Sequence, residues 1–82
     1  MEINYLNEFV TLARIGNYLT AADQLFISQS SLSRHIKALE EELGSQLFNR
    51  TTRKISLTEF GKIFLPYATE ITELQTQYQT AL

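Results

Sequence analysis

Residues 27–44 read ISQSSLSRHIKALEEELG, and the front of this run gathers Ser28, Gln29, Ser30, Ser31, Ser33, Arg34 and Lys37. Serine is a mediocre helix former because its hydroxyl competes for nearby backbone groups. Four serines at the head of a helical pattern therefore point to a use outside the fold. Hydroxyls and amides both donate and accept, a guanidinium offers a planar fork for paired acceptors, and an ammonium adds a compact charge. That set suits recognition of a polar, anionic surface.

Reaction chemistry is poorly supplied. The chain has one histidine, one aspartate and no cysteine, and its three glycines stand alone at 16, 44 and 61. His35 has no carboxylate near it in sequence to orient it as a base, so it reads as a helix-surface residue. Glu40, Glu41 and Glu42 point in different directions on a helix and read as a solvated end rather than a metal site. No catalytic residue, metal or cofactor is expected, and the protein is not expected to be an enzyme. The lack of cysteine suits a reducing cytoplasm. The start, MEINYLNEFV, lacks the basic run of a secretory signal. No apolar run approaches the length needed to span a bilayer.

The net charge of −2 is unevenly placed. Residues 1–27 and 63–82 each carry net −2, whereas 28–62 hold Arg34, Lys37, Arg50, Arg53, Lys54 and Lys62 and carry net +2. Clustering, more than total charge, makes an electrostatic footprint.

The elements that must position these groups follow from periodicity. Residues 3–14 form an amphipathic pattern on Ile3, Leu6, Val10 and Ala13, widened by Phe9 and Leu12. Gly16-Asn17 breaks it, and a short helix at about 18–25 turns Ala21, Ala22 and Leu25 inward. Phe26-Ile27 closes that helix, and Ser28 is placed to cap the next. In the third helix Leu32, Ile36, Leu39 and Leu43 share one stripe. Ser30, Ser33, Arg34 and Lys37 lie on an arc roughly 140° away. Gly44 ends it.

Residues 46–57, QLFNRTTRKISL, switch to alternation and read as a short hairpin with the basic RTTRK at its tip. Thr58-Glu59 opens a last helix. Its Phe60, Phe64, Tyr67, Ile71, Leu74, Tyr78 and Ala81 keep a heptad seam, with Pro66 expected to kink it. The pattern predicts a mainly α chain: a winged helix-turn-helix at 1–58, with a three-helix core and a β-hairpin wing, then a long linker or dimerisation helix at 59–82.

The motifs AA at 21–22, SQSSLSR at 28–34, LEEELG at 39–44, LFNR at 47–50 and LTEFG at 57–61 closely resemble the N-terminal domain of LysR-type transcriptional regulators. The resemblance covers almost the whole chain. It implies double-stranded DNA contacts from Ser28, Gln29, Ser30, Ser31, Ser33 and Arg34, and wing contacts from Arg50, Thr51 and Arg53 at phosphates and the adjacent minor groove. Lys37 and Lys54 extend the same basic surface. The chain departs from the family at Ser30, where proline is common, and at Thr52, where glycine is common.

The resemblance also implies that the last helix pairs with its twin in a homodimer. The later part of the seam, Ile71, Leu74 and Tyr78, is the expected contact, and a two-fold dimer would meet an inverted-repeat site. A small-molecule effector would act only through a further domain that these 82 residues do not contain. The competing reading is a winged-helix module that binds a protein. The basic tip argues against it, because a protein-binding face more often carries apolar anchors.

Overall fold

The boundaries between the first three helices follow from one or two local residues each. The computed structural model describes residues 1–50 and 54–81. The order is α1 (Ile3–Ile15), α2 (Tyr18–Leu25), α3 (Gln29–Leu43), β1 (Phe48–Asn49), β2 (Ser56–Leu57) and α4 (Glu59–Ala81). Gly16 and Gly44 end α1 and α3 in the left-handed conformation, at φ 75° and 76°, which only glycine adopts without penalty. The α2–α3 turn is made differently. Phe26 takes the left-handed conformation at φ 58° and leaves 94% of its surface in solvent. Asn17 caps α2 by accepting a hydrogen bond from the Thr20 amide at 2.9 Å.

Three helices surround the core. Leu6, Phe9 and Leu12 of α1 meet Leu32, Ile36 and Leu39 of α3, and Ala21 and Ala22 of α2 let the backbones come close. The α1 face is rotated from the expected stripe: Phe9 and Leu12 are fully buried, while Val10 and Ala13 only border the core. Leu47 and Phe48 complete the core from the wing side. Phe9 is its hub, with Phe48 edge-on at 5.5 Å and Phe64 tilted against it at 5.7 Å between ring centres.

The wing is a two-stranded antiparallel hairpin with Phe48 opposite Leu57 and Asn49 opposite Ser56. Thr58 joins it to α4. Its hydroxyl donates to the Gln46 carbonyl at 2.6 Å and accepts from the Gly61 amide at 2.9 Å, and its own amide donates to the Leu47 carbonyl at 2.9 Å. Gly61 lets α4 pass directly over this junction, since a Cβ there would run into the Leu47 carbonyl.

α4 packs on α1 with Ala68 and Thr72 buried, and with Phe60, Phe64 and Leu65 half-buried against the core, while Gly61 is buried against Leu47 and Leu57. The heptad seam is therefore split: Phe60 and Phe64 serve the domain's own core, while Tyr67, Ile71, Leu74 and Tyr78 face outward. The helix runs unbroken through Pro66.

Gly61→Ala should lower stability by about 1–3 kcal/mol, the usual cost of overpacking. Urea denaturation checks this, and an unchanged midpoint would show that the α4 junction has slack.

Candidate nucleic-acid interface

The front of α3 is organised by its own serines. Ser28 is the cap: its Oγ accepts from the Ser31 amide at 3.0 Å and donates to Ser31 Oγ at 2.9 Å. Ser31 Oγ in turn accepts from the Arg34 guanidinium at 3.1 Å. So the helix start is satisfied locally, and the arginine is held along the first turns rather than left to wander. Ser30 lies 3.2 Å from Ser28 through their hydroxyls. Gln29, Ser30, Ser33, Arg34 and Lys37 are exposed, and Ser31 is half-buried. The opposite side of the same helix is fixed in the core by Leu32, Ile36 and Leu39. Among the described residues, the side chains of Gln29, Ser33 and Lys37 make no hydrogen bond or ion pair within the chain.

The wing sits beside this surface. An open cleft of about 600 Å³ is lined by Asn17, Tyr18, Leu19 and Gln29 on the helical side and by Lys54 and Ile55 on the wing side. Gln29 at the head of α3 and Lys54 at the base of the wing thus share one cleft. Thr51 and Arg53 lie outside the described residues.

Arg50 is engaged inward. Its Nη2 lies 2.9 Å from Glu40 Oε1, and its Nη1 donates to Glu40 Oε2 at 3.1 Å and to the Phe48 carbonyl at 3.4 Å. Burial is the largest single influence on the Arg50 guanidinium and works against its charge, but the Glu40 hydrogen bond and charge, together with the nearby Tyr18, outweigh it, and the pKa is raised above the ordinary arginine value. About a third of the Arg50 side chain still meets solvent.

Two expectations are corrected here. Glu40 is not part of a solvated end. It is 7% exposed, and its Oε2 accepts from the Leu47 and Phe48 amides at 2.7 and 3.3 Å as well as from Arg50. Spacing carried the hint: Glu40 follows Ile36 by four residues and so lies on the apolar arc, unlike Glu41 and Glu42. His35 is not a plain surface residue either. Its Nδ1 lies 2.8 Å from Oε1 of buried Glu8, and its ring stacks on Tyr5 at 4.3 Å.

A helix-turn-helix whose last helix is followed by a β-hairpin wing is a winged helix-turn-helix, the DNA-binding domain class of bacterial regulators. Residues 3–62 match the family model described as bacterial regulatory helix-turn-helix protein, lysR family, and the chain belongs to that family. It is 46% identical over 74 residues to the HTH-type transcriptional regulator TfdT of Cupriavidus pinatubonensis, covering 90% of this chain and 32% of TfdT. It is 49% identical over 74 residues to BudR of Klebsiella aerogenes, covering 90% of this chain and 52% of BudR. The chain thus spans about a third to a half of these relatives. A crystal structure of the BenM DNA-binding domain with catB site 1 DNA superposes with a TM-score of 0.93 at 38% identity, over 99% of this chain and 90% of that one.

Glu40→Ala leaves two buried amides and the inner face of Arg50 without their acceptor. Each buried donor left unpaired costs roughly 1–3 kcal/mol. Amide hydrogen exchange at Leu47 and Phe48 should accelerate together with the loss of stability. Unaltered protection there would refute the role given to this carboxylate.

Proposed function

We propose that this chain binds double-stranded DNA in a sequence-selective way as part of a longer transcriptional regulator of the bacterial cytoplasm. The front of α3 enters the major groove and the wing lies along the backbone. The carrying observation is the head of α3, where Ser28 and Ser31 hold Arg34 on an exposed polar face while the far side of the helix is locked in the core. A recognition helix needs that combination of a rigid seat and short side chains that permit close approach. Gln29, Ser30, Ser33 and Arg34 are placed to read base edges, with Arg34 suited to a guanine. Lys37, Lys54, Thr51 and Arg53 supply backbone contacts. Arg50 contributes mainly by holding the wing against Glu40, and its exposed side adds positive charge.

The outer stripe of α4 supports a homodimer. Tyr67, Ile71, Leu74 and Tyr78 are 62%, 40%, 62% and 56% exposed. The last three line an open apolar groove with Ile3. Burying a leucine or isoleucine stabilises by about 1.5–3 kcal/mol, so a few such positions per chain hold a modest dimer. Two α3 helices related by a two-fold axis would then meet an inverted repeat with half-sites about one helical turn, or a multiple of it, apart. Effector sensing belongs to a separate part of the longer protein.

Binding should weaken with salt, log K falling linearly with log salt at about −0.9 per phosphate neutralised. Arg34→Ala should cost about 1–3 kcal/mol and relax preference at one position of a site selected from random DNA. Affinity indifferent to salt would sink the reading.

The paired change Ile71→Glu and Leu74→Glu should give folded monomers that bind a full site much more weakly. Sedimentation of the parent chain at high concentration checks the dimer directly. A parent that stays monomeric, with full-site binding untouched by the paired change, would refute it.

A further inference from the structure

Apolar packing of Leu32, Ile36 and Leu39 seats α3 against α1, but the hydrophobic effect is itself non-directional, so a hydrogen bond between the two helices adds an orientation that packing alone does not specify. One contact between the two helices is directional. The Glu8 carboxylate, on a residue 7% exposed, meets His35 Nδ1 at 2.8 Å, and the Tyr5 ring lies flat on the imidazole, 4.3 Å away and 13° from parallel. His35 stands one turn beyond Ser31 and next to Arg34, the pair joined by the 3.1 Å bond at the head of α3. α1 provides none of the residues assigned to DNA contact, yet it grips α3 beside the residue best suited to read a base.

We propose that Glu8 is a positioning residue for sequence reading: acting through His35, with Tyr5 as the backing plate, it sets the roll of α3 and hence where Arg34 and Ser33 meet the base edges. The proposal rests on the DNA-reading function above. A reading side chain displaced by a fraction of its bond length loses discrimination while the backbone contacts survive, since phosphate contacts carry no sequence information. The signature is therefore a loss of selectivity with little loss of nonspecific affinity.

The test compares the parent chain, Glu8→Gln, Glu8→Ala and the double variant Glu8→Leu/His35→Phe on a site selected by the parent from random DNA and on a scrambled duplex. Glu8→Gln still offers an oxygen to the imidazole and should keep the parent's ratio of specific to nonspecific affinity. Glu8→Ala should lower that ratio by about tenfold, the scale of one well-placed base contact, and leave scrambled-DNA binding within about twofold. The double variant replaces both partners by apolar groups and should stay folded, so it carries the test should Glu8→Ala prove unstable; it too should lose selectivity. The imidazole nitrogen signals of His35 in NMR spectra should shift most in Glu8→Ala, which removes the acceptor at Nδ1, and less in Glu8→Gln, which keeps an oxygen there. An unchanged ratio in the double variant, or an equal fall in specific and nonspecific binding, would overturn the positioning role. A parent with no sequence preference would instead overturn the DNA-reading function on which the role depends.

Discussion

The placement of the wing depends on one carboxylate. Glu40 leaves α3 on its core side and accepts from the amides of Leu47 and Phe48 and from the Arg50 guanidinium. The segment after α3 would otherwise enter the core with two amide donors lacking partners, a costly arrangement in a domain of this size. The carboxylate removes that cost and ties three features of the chain to α3: the buried Leu47, the Phe48 ring against Phe9, and the arginine at the root of the wing. The base of the wing is therefore anchored to α3. A surface assembled from both can be complementary to an external shape only under that condition.

The second fixed point lies on the other side of the wing. Thr58 closes the hairpin and starts α4 with one side chain, and Gly61 lets the new helix cross the Leu47 carbonyl at close range. Farther along, Thr69, Thr72, Thr76 and Thr80 each return their hydroxyl to a carbonyl one turn back. These four hydroxyls are satisfied within the helix, and the outward Tyr67, Ile71, Leu74 and Tyr78 are left as an exposed apolar surface. The same helix thus serves the core at its start and offers a second surface at its far end.

What could be read from the sequence was whatever short-range rules govern. Gly16, Gly44, Asn17 and Ser28 mark boundaries through effects spanning four residues or fewer, and the structure places each at a boundary. The two faces of α3 follow from a single period. The misreadings share another cause. His35 and Glu8 are 27 residues apart, and Glu40 meets its partners only after the chain has turned at Gly44. Periodicity can put a carboxylate on the buried arc but cannot say which donor waits there. In α4 the length of the seam shows that its later part, from Ile71, outruns the core of so small a domain, but it does not show that the core side already stops at Phe64, with Tyr67 62% exposed. Gly61 was visible only as part of a motif, because its reason is the approach of another segment's backbone.

The charges along α3 have a consequence at longer range. The helix has no acidic residue in its first turn and no basic residue in its last, with Arg34 and Lys37 ahead of Glu41 and Glu42. Placed this way, the carboxylates work against the helix's own stability, because they sit at the negative end of its dipole. They also add to the same vector as the peptide dipoles and the two cations. In the field of a polyanion this vector exerts a torque that turns the serine-rich end forward and the Glu41–Glu42 end away. The torque acts over roughly a Debye length, about 8–10 Å in moderate salt. Under the proposed mode of DNA binding, a small loss in helix stability would thereby become a bias in collision geometry, raising the fraction of encounters that arrive face-first.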